Sequence, residues 1–274
     1  MSRAIQSFCF AVIYSIYLVA VMLPAQELIL RPLCALNPKR RPAILRTWFR
    51  WQAVWVIGMA RHIGGLKLDV QGELPAEPMI VVMNHQSLLD IPAVVRLLYG
   101  PYPVIPTRAR YTKWIPGISG LARLGGFPAL RQSGHASRAE HTAMVTAAES
   151  VERGERTMII YPEGHRTKDG EIQPWMTQGM KLVFRHAHSR PVYVVVIDGV
   201  WRLRSFGDIA FRLPGQVARM RVLGPFAVPP DKRDHEAFIA SLREQMVGTL
   251  ARLRGSDPAG SPGSASAPLA HPVG

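Results

Sequence analysis

The chain has 274 residues, 48% of them hydrophobic, and 33 Lys and Arg against 19 Asp and Glu give a net charge of +14. That length allows one substantial core and little beside it, and the excess charge points to an anionic partner: a phospholipid surface, a nucleic acid or a polyanionic substrate. Cys9 and Cys34 are the only cysteines and lack metal-ligand spacing, which excludes a disulfide framework and a zinc site and favours a reducing compartment.

Ala4 to Gln26 is a stretch of 23 residues without a charge, long enough to cross a hydrocarbon core. Only Arg3 precedes it and Leu23-Pro24-Ala25-Gln26 makes a poor cleavage site, which disfavours a secretory signal. Lys39, Arg40 and Arg41 on its far side belong on the cytoplasmic side of a membrane. Ile44 to Ile63 mixes Trp48, Phe49, Trp51 and Trp55 with arginines, the composition of a helix lying in the headgroup region. Residues 1–65 are therefore expected to form a membrane-associated helical segment, either one span plus an interfacial helix or a helical pair dipping into one leaflet. A hydrophobic hairpin covering the following domain is the competing reading.

Residues 66–254 read as the second unit. Leu66–Val70 alternates as a short strand, and Met79-Ile80-Val81-Val82-Met83 is a buried strand entered through Pro78. It breaks at Asn84-His85, and Asp90 before Ile91-Pro92 opens a helix to about residue 99. Val104-Ile105 is a short strand, 111–124 a broken helix around Pro116-Gly117, and 125–131 a Gly-led strand ending in Arg131. Residues 137–153 repeat alanines at helical spacing up to the stop at Gly154. Thr157–Tyr161 is a second buried strand, followed by Pro162-Glu163-Gly164-His165-Arg166. A helix over 176–188 has Met176, Met180, Val183 and Phe184 as its apolar face. Pro191–Ile197 is the strongest strand signal in the chain. Ile209–Leu213 and Val217–Leu223 around Pro214-Gly215 read as a hairpin, and 233–254 as a closing helix. Residues 255–274 are Gly, Ser, Pro and Ala, a composition expected to be disordered. The sum is an α/β fold, a mostly parallel central sheet flanked by helices.

The two strand ends carry the chemistry. His85 at the carboxyl edge of one strand and Asp90 five residues on can meet across a short loop, the carboxylate orienting one ring nitrogen and freeing the other to take a proton. Ser87 is a poor nucleophile candidate, because no G-x-S-x-G elbow occurs. Arg166 offers a planar fork suited to a phosphate. No Walker loop, Rossmann glycine pattern or zinc spacing is present, so no metal and no bound cofactor is assigned. No RRM or helix-turn-helix signature accompanies the dispersed positive charge, so no nucleic-acid partner is assigned either.

Asn-His-x4-Asp at 84–90 and Pro-Glu-Gly-x-Arg at 162–166, in this order at two strand ends, resemble the glycerolipid acyltransferase family, whose patterns span about residues 79–200. The resemblance implies that His85 is the general base oriented by Asp90. It also implies that Asn84, Arg131, Glu163, Gly164 and Arg166 bind the acceptor, with Arg131 and Arg166 on its phosphate. Three positions depart from the family pattern: Leu130 where Asp or Asn is usual, His165 where Thr or a small residue is usual, and Val194 where a second proline is usual. The implied reaction takes an acyl chain from acyl-CoA or acyl-carrier protein to the free hydroxyl of a lysophospholipid, most simply 1-acylglycerol-3-phosphate, at the inner (cytoplasmic) membrane with the catalytic unit on the cytoplasmic side. Another lyso-lipid acceptor, such as a lyso-aminolipid, a hydrolase using the same base, and a non-catalytic basic membrane protein are the open alternatives.

Overall fold

The computed structural model describes residues 3–113, 117–131 and 137–255. A six-stranded sheet is built from β1 (Lys67–Gln71), β2 (Ile80–Met83), β3 (Pro103–Val104), β6 (Thr157–Ile160), β7 (Val192–Asp198) and β8 (Val217–Phe226), in the spatial order β1-β8-β7-β2-β6-β3. β4 (Thr107–Arg108) and β5 (Ala129–Leu130) form a separate two-stranded parallel sheet. All adjacent pairs in the main sheet are parallel except β7 and β8, which makes it a mixed but mostly parallel sheet, as expected.

The two-residue period of the strands sorts their side chains into two cores. Val81, Met83, Ile159, Val195 and Ile197 join the cluster that contains the N-terminal helices. Ile80, Val82, Met158, Ile160, Val194 and Val196 join the opposite cluster. Every residue of β2, β6 and β7 is buried, as strands covered on both faces must be. The resulting sandwich is helix, sheet, helix.

One helical layer comprises α4 (Arg41–His62) and α5 (Asp90–Leu97), with a helical run from Arg3 to Leu36 beside them. Leu45, Phe49, Ala53, Val56, Ile57 and Ala60 form the buried stripe of α4, with the i, i+4, i+8 spacing of an amphipathic helix. Trp51, Val54 and Trp55 face outward. The Arg3–Leu36 run contains α1 (Arg3–Ile16), α2 (Leu23–Ala25) and α3 (Arg31–Leu36), joined by π-helical turns at Tyr17–Met22 and Gln26–Leu30. Each wide turn precedes a proline, Pro24 or Pro32, whose ring cannot donate the usual helix bond. Tyr17 donates to Gln52 Oε1 at 2.6 Å, tying this run to α4.

The other layer holds α7 (Arg138–Glu152), α8 (Thr177–His186) and α10 (His235–Gly255). Ser137 caps α7 with a full capping box to Glu140, and Gly154 follows its end at φ +81°. α6 (Ile118–Leu124) lies before β5.

Three expectations are corrected. Residues 209–213 are not a hairpin strand: 209–212 belong to a short helix, α9 (Phe206–Arg212), and Leu213 is its C-cap. Ser205 and Asp208 close a capping box at its start, and that local bonding outweighs the alternating apolar pattern. β8 is accordingly no hairpin partner of 209–213; it inserts between β1 and β7, parallel to the first and antiparallel to the second. The Gly-led strand of 125–131 shrinks to Ala129–Leu130, and Met176, placed by pattern on the buried face of α8, precedes that helix and is 62% exposed. Of the tail expected to be disordered, residues 255–274, Gly255 ends the helix His235–Gly255, and the rest lies outside the described residues, as does Pro116 of the broken helix.

Candidate active site

β2 ends at Met83, and the chain turns before α5 begins at Asp90. The first turn of α5 therefore presents the Asp90 carboxylate, fully buried, to the loop it has just left. Asp90 Oδ2 accepts three hydrogens: from His85 Nδ1 at 2.9 Å, Gln86 N at 2.6 Å and Ser87 N at 2.8 Å. A carboxylate has nothing to donate, so the proton of this pair sits on Nδ1 and the lone pair on Nε2. The helix start favours the negative charge there. His85 keeps 16% of its side chain exposed, and its ring packs on Tyr161 with centroids 4.3 Å apart. Burial holds the Tyr161 phenol well above its usual range, with the Asp90 charge adding to the effect.

β6 is the neighbour of β2 and delivers the second loop alongside the first. Glu163, 1% exposed, accepts from the backbone N–H of His85 at Oε1 and of Gln173 at Oε2, each at 2.9 Å. Burial raises its carboxyl pKa to about 7, opposed by those two donors and reinforced by Asp90. Thr167 N donates to His85 O at 2.8 Å, so the loops are stitched at both ends of the histidine. Gly164 sits at φ +65°, the left-handed region that glycine enters at no steric cost. Its carbonyl accepts two bonds from Arg108, from Nε at 3.0 Å and Nη2 at 2.8 Å.

The cations gather beyond this junction. Arg166 donates from Nη1 to the Arg204 carbonyl and from Nη2 to Tyr111 Oη at 3.4 Å. It lines a groove of about 510 Å³ together with Lys168, Trp201, Arg202, Arg204 and Arg212. A concave site with that many cations matches an anionic head group in size and sign.

Of the residues singled out in the sequence, the structure brings His85, Asp90, Glu163, Gly164 and Arg166 into one constellation. Two of the residues singled out, Glu163 and Asn84, are held by backbone partners. Glu163 has both oxygens engaged by backbone and buttresses His85. Asn84 donates to Ile197 O and accepts from Ile197 N, both at 2.8 Å, so its amide clamps the end of β2 to β7. Arg131 follows Leu130, the register partner of Arg108, but its own guanidinium is exposed and lies 3.6 Å from Glu140. Ser87 is fully buried, its hydroxyl donating to Leu203 O at 2.6 Å and accepting from Leu89 N. His165 turns Nδ1 to the Glu163 carbonyl at 2.7 Å.

Arg108, Gln86 and Arg254 escaped the sequence reading. Gln86 donates to Asp198 Oδ1 at 3.1 Å and accepts from Val200 N. Arg254, in the last turn of α10, donates to the same Asp198 oxygen at 3.3 Å and to Gly170 O at 2.7 Å. The only local signal for Arg108 was its place in the basic run Arg108-Ala109-Arg110; the other two look like surface residues until β7 and α10 are placed.

Residues 67–198 match the family model described as Acyltransferase, so the segment containing both loops is an acyltransferase domain. More narrowly, the chain is similar to 1-acyl-sn-glycerol-3-phosphate acyltransferases. It is 28% identical over 197 residues to mouse (Mus musculus) 1-acyl-sn-glycerol-3-phosphate acyltransferase alpha, covering 69% of this chain and 65% of that one. It is 28% identical over 191 residues to 1-acyl-sn-glycerol-3-phosphate acyltransferase of Saccharomyces cerevisiae, covering 68% and 60%. The chain thus spans less than two thirds of the length of either relative. Its fold is similar to that of the 1-acyl-sn-glycerophosphate acyltransferase PlsC from Thermotoga maritima, with a TM-score of 0.66 over 91% of this chain and 95% of that chain, at 20% identity.

Proposed function

We propose that the protein is an O-acyltransferase. It moves an acyl chain from a thioester donor, acyl-CoA or acyl-carrier protein, to the free hydroxyl of 1-acylglycerol-3-phosphate, giving phosphatidic acid. The observation that carries this reading is the His85–Asp90 pair, with Nδ1 committed to the carboxylate and Nε2 left with its lone pair.

His85 Nε2 takes the proton of the acceptor hydroxyl as its oxygen attacks the thioester carbonyl. Asp90 stabilises the imidazolium that forms, the division of labour of a triad without a protein nucleophile. The tetrahedral intermediate collapses by breaking the carbon–sulfur bond, and the departing thiolate recovers the proton from the imidazolium. An ester and a free thiol result, and the histidine returns to its starting state. The step needs no metal and no redox partner. The groove at Arg166 supports a phosphorylated acceptor, and the relatives' names support the glycerol phosphate in particular. The Arg3–Leu36 run, by length and composition able to cross a membrane, supports a membrane-associated protein drawing its acceptor from lipid.

Purified protein in lipid, given labelled acyl-CoA or acyl-carrier protein and a panel of lyso-acceptors, tests the reading. Labelled phosphatidic acid formed from lysophosphatidic acid is expected. Acylation of a phosphate-free acceptor in preference would remove the phosphate role from Arg166 while leaving His85 as base.

A further inference from the structure

α9 and the first turns of α1 pack side by side, with Ser7 Oγ donating to Phe211 O at 3.2 Å. Between them runs a groove of about 650 Å³ lined by Arg3, Phe8, Phe211, Arg212, Pro214 and Gln216. Phe8 is 65% and Phe211 69% exposed. On the helix, Phe211 lies on the side opposite the buried Ile209, two residues and about 200° away. Phe206, at the other end of α9, is exposed as well. Two large aromatic side chains left in water across one cleft, with a guanidinium at either side, make an amphipathic surface rather than a scatter of single apolar residues.

The occupant is set by three features. The exposed stripe of α1, Ile5, Phe8, Val12 and Ile16, runs into the same cleft, so the apolar surface is continuous with the segment apolar enough to enter a bilayer. The surrounding charge is positive: Arg3, Arg202, Arg204 and Arg212, against Asp208, which lies 3.3 Å from Arg212. Arg212 lines both this cleft and the groove at Arg166, so the two concavities meet at one guanidinium.

We propose that α9, together with the start of α1, is a docking surface for anionic phospholipid of a bilayer. Phe8 and Phe211 enter the acyl boundary while Arg3 and Arg212 meet the phosphates. The surface then holds the mouth of the Arg166 groove at the lipid, and an acceptor head group passes Arg212 on its way in. That last step rests on the acyl-transfer reading; the docking itself does not.

The test uses the full chain with Cys9→Ser and Cys34→Ser, carrying Phe211→Cys or, as control on the far face of α10, Glu244→Cys, each labelled with an environment-sensitive fluorophore. In vesicles of phosphatidylcholine and phosphatidylglycerol doped with a spin-labelled lipid, quenching at 211 should exceed quenching at 244 at least twofold, and it should weaken in pure phosphatidylcholine. Equal quenching at 211 and 244 overturns the docking surface, and quenching indifferent to phosphatidylglycerol overturns its anionic preference. Phe8→Ser with Phe211→Ser should slow transfer to a long-chain acceptor in vesicles several-fold and leave transfer to a short-chain acceptor in free solution unchanged; an equal loss on both overturns the docking role. If 211 is quenched but no acceptor is acylated, the docking stands and the acyl-transfer reading fails.

Discussion

The backbone N–H of His85 donates to Glu163 Oε1 at 2.9 Å, across the seam between β2 and β6. The residue that carries the proposed base is thus held from two directions. Asp90 fixes the ring and Glu163 fixes the main chain, and the latter is a buried carboxyl whose pKa rises to about 7.

That shift makes stability depend on pH. Below its ordinary value of 4.5 Glu163 is protonated in both folded and unfolded chains and contributes no dependence. Between 4.5 and about 7 the unfolded chain releases the proton while the folded chain keeps it, so stability falls as pH rises. The loss is on the order of 3 kcal/mol across the window, at ~1.4 kcal/mol per pH unit. Glu163→Gln removes the dependence. Urea unfolding of both proteins from pH 4.5 to 8 should show the variant gaining on wild type by about that amount; a constant difference would place the raised pKa elsewhere.

Ser87 is a structural hydroxyl. Ser87→Ala gives up its bonds to Leu203 O and Leu89 N, a cost of about 1–2 kcal/mol. Turnover should stay within a few-fold of wild type, and no acyl-enzyme should be trapped by rapid quench. A variant that stays folded but loses activity a hundredfold would restore Ser87 as a nucleophile.

Arg254 acts on the site through Asp198, Gly170 and Gln86, whose backbone N–H in turn bonds Asp90. Arg254→Met strips the cation from a buried carboxylate. It should lower kcat about tenfold with little change in KM and shift the acid limb of the pH profile, as the Asp90 bonds rearrange. Arg254→Lys, keeping the charge with less reach, should recover part of the loss. An unchanged pH profile with activity falling only in step with thermal stability would reduce Arg254 to a fold-stabilising residue.

The strand ends were legible because burial on both faces demands uninterrupted apolar runs, and Met79–Met83 and Thr157–Tyr161 break sharply into polar residues. The pairing of β2 with β6 then brings the two loops together. What was not legible depends on distant partners. Nothing near Glu163 or Asn84 says that their side chains serve the backbone of His85 and Ile197, because those partners lie 78 and 113 positions away. α9 was misread for a different reason: Ile209-Ala210-Phe211-Arg212 alternates like a strand, while the deciding signal, Ser205 three residues before Asp208, stood just outside the window.

The central claim is that His85 is the base for an acceptor hydroxyl. Free thiol release from acyl-CoA or acyl-carrier protein, with and without lysophosphatidic acid, measures it in wild type, His85→Ala and Asp90→Asn. Expected are acceptor-dependent release in wild type, a loss on the order of a thousandfold in His85→Ala with liposome binding retained, and a smaller loss in Asp90→Asn. Release by His85→Ala at the native rate would contradict that claim.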